Sequence, residues 1–293
     1  MPDFGRVLTA MVTPFDHSLQ VDYQQAGVLA RHLVENGSDG LVVAGSTGEA
    51  ATLSYDEKIK LFETILDAVG DKATVIAGTG SYDTATSIRL TKEAEKVGVH
   101  GAMIVGPYYN KPPQEGLYQH FRAISEETSL PLIIYNVPGR TASNMLPKTI
   151  LRLTELKNMV AVKEASGSLD QASEIIRNAP KGFVVYSGDD SLTLPILAVG
   201  GHGVISVAGH LVAKELQEMI AAYFVGDISK ARDIHLRLMP LFKSLFITTN
   251  PIPIKEAMNI CGFKAGGLRL PLVQATDSEL ASITTVLKQF KKI

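Results

Sequence analysis

The 293-residue sequence predicts a (β/α)8 barrel with a C-terminal helical extension. Three observations carry this reading. Eight short apolar runs recur along the first three quarters of the chain, their starts roughly 20 to 34 residues apart, which is room for a strand, a helix and two short loops. The runs are nearly uninterrupted in their apolar character, as strands covered on both faces are. After Gly226 the strand pattern stops and only helical periodicity remains. Eight consecutive βα units close into a barrel. Residues 1–225 are assigned to the barrel and 226–293 to the extension.

In chain order, strands are expected at Leu8–Val12, Gly40–Ala44, Thr74–Gly78, Ala102–Val105, Leu132–Tyr135, Val160–Lys163, Phe183–Ser187 and Gly203–Val207. The segments between them carry helix punctuation. Ser54 with Glu57 forms a capping-box pattern ahead of Ile59, Leu61, Phe62 and Ile65, which share one helical face. Gly37, Gly70 and Gly98 stand where helices should stop. Beyond the eighth strand, helices are expected over Leu211–Val225, Ile228–Phe246 and Ile254–Ile260. A last one opens at Thr276, with Glu279 completing a second capping box.

Composition narrows the function classes. A formal charge of −2, spread along the chain, offers no basic face for nucleic acid. No segment approaches the roughly twenty apolar residues that span a membrane, and the N-terminus has no signal-peptide pattern. Cys261 is the single cysteine, so no intrachain disulfide can form, and it reads as a small buried residue on a C-terminal helix. A cytoplasmic protein is expected.

Barrel active sites lie at the C-terminal ends of the strands, so the residues following each run decide the chemistry. Lys163 ends the apolar run Met159–Val162. By position it is either a strand-end lysine reaching for water or, if held in an apolar mouth, a neutral amine and hence a nucleophile. After the second strand, Gly45-Ser46-Thr47-Gly48-Glu49 places two hydroxyls between glycines, a turn whose amides suit a carboxylate or phosphate. It lacks the Gly-Lys-Ser/Thr ending of a P-loop. After the fourth strand come Tyr108 and Tyr109, and after the fifth Tyr135, Arg140 and Thr141. Tyrosine can donate and accept a proton, and arginine grips a carboxylate with two parallel bonds. Around one barrel mouth, these groups make a Schiff-base site for an oxo acid.

The same segments resemble the dihydrodipicolinate synthase and N-acetylneuraminate lyase superfamily of class I aldolase-type barrels. The residues that carry the likeness are Gly45–Glu49 with Glu57, Tyr135–Thr141, Val162–Ala165, Ser187–Asp190, Gly203–Val207 and Asn250–Pro253. The resemblance implies that Lys163 forms an imine with pyruvate and that Tyr135 supplies the acid and base. Thr47 and Tyr109 would relay its proton to solvent, with Tyr109 entering a neighbouring subunit's site across a tight dimer interface. The amides of Ser46 and Thr47 would hold the pyruvate carboxylate, the carbonyl of Ile205 would lie near the lysine amine, and Gly188 would sit at the same rim. Arg140, typical of the synthase branch and usually missing from sialate lyases, implies aspartate semialdehyde as second substrate and a place in the diaminopimelate and lysine pathway. The alternative within the superfamily is a sialate or keto-sugar-acid aldolase.

No cofactor or metal is implied, and the assembly implied is a homotetramer built as a dimer of dimers, or a homodimer. Serine at position 46, where many synthases have threonine, keeps a hydroxyl. In lysine-inhibited relatives the feedback pocket carries serine, two histidines, asparagine and glutamate. Ala50, Tyr55, Lys58, Tyr82 and Thr86 stand at those positions here. A cation at Lys58 and no acid at Thr86 imply weak or absent feedback by lysine.

Other signals carry less. The histidines His17, His32, His100, His120, His202, His210 and His235 show no metal-ligand spacing. Asp189 and Asp190 read as capping groups or as hydrogen-bonding partners of nearby loops, Gly200–Gly203 as a tight turn, and Asn250 as a helix cap or a contact to the barrel rim.

Overall fold

The computed structural model describes residues 3–293. Eight parallel strands close into a barrel in sequential order, β1 (Val7–Ala10) pairing with both β2 (Gly40–Val43) and β8 (Gly203–Ser206). Between them lie β3 (Thr74–Gly78), β4 (Gly101–Val105), β5 (Leu132–Asn136), β6 (Met159–Glu164) and β7 (Val184–Ser187). All eight expected strands are present, with ends displaced by at most two residues.

The outer ring holds α1 (Tyr23–Glu35), α2 (Tyr55–Val69), α3 (Thr84–Val97), α4 (Gln114–Glu126), α5 (Pro138–Thr141), α6 (Pro147–Leu153), α7 (Leu169–Asn178), α8 (Thr193–Ala198) and α9 (Gly209–Phe224). The capping box on α2 forms as read: Glu57 N–H donates to Ser54 Oγ while the Ser54 N–H donates to Glu57. Gly98 ends α3 at φ 91°, a left-handed conformation that costs a glycine nothing. The extension is α10 (Ile228–Ser244), α11 (Ile252–Ile260) and α12 (Asp277–Gln289), the last opened by the expected Thr276–Glu279 box. Cys261 departs from its reading: it follows α11 as the C-cap and is only partly buried.

Side chains alternate between two cores, as the pleat requires. Leu8, Val42, Ile76, Met103, Ile133, Tyr135, Tyr186 and Ile205 fill the barrel, whereas Leu41, Val75, Ile104, Leu132, Ile134 and Val162 pack outward against the helices. On β6 the alternation skips a beat. Leu132 pairs with Met159 but Ile133 pairs with Ala161, which leaves Val160 as an extra residue, and both Val160 and Ala161 face the interior. This bulge restores the parity that points Lys163 inward and Glu164 outward.

Candidate active site

The site grows from neighbouring strand ends. Tyr135 and Lys163 are Cα partners on β5 and β6, and Lys163 is also opposite Tyr186 on β7. Lys163 is 4% exposed, and its Nζ lies 4.3 Å from the centre of the Tyr135 ring. Burial, aided by the positive charge of Arg140 and opposed by Asp190, brings its pKa down to about 8. A solvated lysine is almost wholly protonated at neutral pH, so this amine reaches its nucleophilic form more readily.

Burial pushes the Tyr135 phenol upward, with Arg140 and a hydrogen bond from Ser46 pulling the other way. Tyr135 therefore stays protonated at neutral pH. The Thr47 hydroxyl is turned to the C-terminal segment, where it accepts from Asn250 Nδ2 at 3.0 Å, because consecutive side chains of a tight turn diverge. Ser46 and Tyr135 line the same cavity.

Arg140 sits near the end of the single turn α5. Its Nη2 donates to the main-chain carbonyl of Asn250 at 2.9 Å, and the guanidinium is otherwise exposed at the mouth. A buried lattice behind β5 and β6 fixes this segment: Asn136 Nδ2 donates to Asn144 and Glu164, and Gln171 Nε2 donates to Glu164 at 3.1 Å. Glu164 thus supports the loop from outside the barrel.

Gly188 follows β7 and Ile205 lies on β8. Gly188 N–H donates to the Glu164 carbonyl at 2.8 Å, and a Cβ there would come 3.1 Å from Lys163 Cγ and 2.6 Å from Ala165 Cβ. Only glycine leaves the lysine stem its path. Ile205, on β8, belongs to the barrel interior and is opposite Leu8. Asp189 caps the short turn after β7, accepting from Ser191 N–H, while Asp190 bonds to a neighbouring segment, accepting from the Ser206 hydroxyl and from the amides of Val207 and Ala208, which clamps the end of β7 to the end of β8. Tyr109 is the one candidate the single chain does not bring in. It is 91% exposed at φ 71°, projecting from the loop after β4.

One cavity of about 310 Å³ joins Ser46, Tyr135, Arg140 and Asn250 to Lys58, Thr86, Ala50 and Tyr108. Among the described residues no cluster of histidine, cysteine or acidic side chains could hold a metal ion, and no helix is long and apolar enough to cross a membrane. The buried histidines are structural: His210 Nε2 accepts from Val12 N–H at 3.1 Å, and burial holds its pKa near 4, leaving it neutral.

A (β/α)8 barrel with a buried lysine of lowered pKa at its C-terminal mouth defines a lyase of the class I aldolase type. The chain belongs to the dihydrodipicolinate synthetase family, whose model matches residues 3–290. A 4-hydroxy-tetrahydrodipicolinate synthase from Heliobacterium modesticaldum is 60% identical over 288 residues, 98% of this chain and 96% of that one. The crystal structure of the enzyme from Cyanidioschyzon merolae with lysine bound superposes with a TM-score of 0.98 at 47% identity, covering 99% of each chain. A structure described as the first monomeric dihydrodipicolinate synthase variant gives 0.96 at 44% identity, covering 99% of this chain and 98% of that one.

Asn250 makes the expected contact to the barrel rim, through the Thr47 hydroxyl and the Arg140 guanidinium.

Proposed function

We propose that the chain condenses pyruvate with L-aspartate 4-semialdehyde to give 4-hydroxy-tetrahydrodipicolinate, through an imine on Lys163 and with no cofactor. The observation that carries this is the buried Lys163 amine, with a pKa of about 8, against Tyr135.

Neutral Lys163 adds to the pyruvate ketone, and Tyr135 protonates the departing hydroxyl so that water leaves. Loss of a proton from the pyruvate methyl then gives an enamine, whose carbon attacks the aldehyde. The substrate's own amine displaces Lys163 and closes the ring, one water being lost overall. Ser46 passes the proton between Tyr135 and the outside, the turn amides of Ser46 and Thr47 face the pyruvate carboxylate, and Arg140 takes the carboxylate of the semialdehyde. The Ile205 carbonyl and Gly188 shape the space around the amine. Tyr109, exposed and in a strained backbone conformation, completes the relay in the partner's site, so the working unit is at least a dimer and, paired again, a tetramer in the cytoplasm.

Feedback by lysine is weak or absent. Lys58 lines the cavity shared with the site, and Thr86 offers no carboxylate to an incoming ammonium.

Incubation with pyruvate and borohydride, followed by peptide mapping, tests the reading directly. A pyruvate-sized adduct on Lys163 is expected, and its absence sinks the imine. With pyruvate in excess, consumption of aspartate semialdehyde should far outrun cleavage of sialate; the reverse would assign a sugar-acid aldolase.

A further inference from the structure

The turn Gly45–Gly48 is bracketed by two non-glycine residues in left-handed conformation, Ala44 at φ 52° and Glu49 at φ 56°. Such backbone persists only where its surroundings hold it. Much of what holds it comes from the C-terminal extension. Lys255, on α11, is ion-paired to Glu49 at 2.7 Å with both side chains 1% exposed, and it also donates to the Gly267 carbonyl at 2.6 Å. The second Glu49 oxygen accepts from Arg269 N–H at 3.1 Å, and the Arg269 guanidinium forks onto Glu57 and reaches the Thr52 carbonyl. Asn250, 5% exposed, holds the Thr47 hydroxyl with its amide and Arg140 with its carbonyl.

Stability alone accounts poorly for these choices. A buried ion pair is often no more stabilising than apolar residues of the same volume. Asn250 Oδ1 is buried with no partner, a cost that a residue selected for packing would not carry. What the set achieves is one fixed geometry for the turn.

We infer that Asn250 and Lys255 are positioning residues for catalysis, holding Thr47 and Glu49 so that the turn amides face the oxo-acid carboxylate. The inference rests on the proposed reading of that turn as the pyruvate carboxylate site. The extension is then part of the active-site wall, and Asn250 links the pockets for both substrates.

The test is a double-mutant cycle with KM and kcat read separately. Asn250→Ala removes the grip on Thr47 but keeps the main-chain carbonyl that Arg140 uses. It is expected to raise the KM for pyruvate about tenfold, with little change for the semialdehyde. Thr47→Val should do the same, the double variant no worse than either single one, and Thr47→Ser should recover most of the loss. The pair Lys255→Met with Glu49→Gln, which leaves no unpaired buried charge, should also raise the pyruvate KM while still forming the Lys163 adduct at saturating pyruvate. Independent, additive effects of Asn250→Ala and Thr47→Val overturn the inference, as does an unchanged pyruvate KM in Asn250→Ala and the paired variant. Wild-type protein trapped in parallel separates the two readings: no adduct there defeats the imine, whereas normal trapping with unaffected variants defeats only the positioning role.

Discussion

The Lys163 ammonium sits 4.3 Å above the centre of the Tyr135 ring, a contact that favours the charged amine, yet burial outweighs it and lowers the pKa to about 8. The lysine is thus packed against its own proton partner while being kept close to neutrality.

Formation of the pyruvate adduct should therefore accelerate as pH rises toward about 8 and level off above it, following the neutral fraction of Lys163. Initial trapping rates across pH 6 to 10 check this. A profile still climbing through the ordinary lysine range would show the amine to be unperturbed.

Stability should move in the same direction. The unfolded chain holds the Lys163 proton up to its ordinary pKa while the folded chain releases it near 8, so stability rises with pH between those values and that gain is absent below them. Lys163→Met removes a buried cation and should stabilise the protein at pH 7 by on the order of 1–3 kcal/mol while abolishing the adduct. Thermal melts of both proteins across that range provide the comparison.

Tyr135→Phe keeps the ring beneath Lys163 and removes the hydroxyl. Turnover should fall by about 10²–10⁴-fold with the fold intact. Steady-state kinetics with a circular-dichroism melt would detect it, and a loss below threefold would assign the proton to another group.

Arg140→Ala should leave pyruvate trapping at Lys163 nearly unchanged and raise the KM for aspartate semialdehyde by roughly 10²-fold, the loss of a charge-assisted contact. Equal damage to both substrates would instead point to collapse of the Asn250 contact.

Mixing Tyr109→Phe with Lys163→Ala subunits should recover activity above that of either variant alone, because one site in each mixed dimer regains both residues. In the same assays, millimolar L-lysine should leave wild-type turnover almost untouched. A micromolar inhibition constant would overturn the argument from Lys58 and Thr86.

Much of the barrel was legible in the sequence because buried parallel strands must be apolar throughout, and caps such as Ser54 and Thr276 act within a few residues. The short turn α5 was not, since Pro138–Thr141 is too brief to show periodicity and its Arg140 is held by the Asn250 carbonyl, far along the chain. The direction of the Thr47 hydroxyl was hidden for a related reason. Ser46 and Thr47 are adjacent and chemically alike, and only the direction of each side chain in the folded turn tells them apart.

The sequence by itself determined the eight-unit barrel, the helical extension and the residue types at the mouth, because hydrophobic period and motif spacing are local properties. Tertiary structure decided which way those residues point and what perturbs them. The extra residue at Val160 turns Lys163 into the barrel, closure of the barrel removes its water, and the C-terminal segment, some 200 residues away along the chain, takes the Thr47 hydroxyl. Parity, desolvation and long-range contact arise only when distant segments meet.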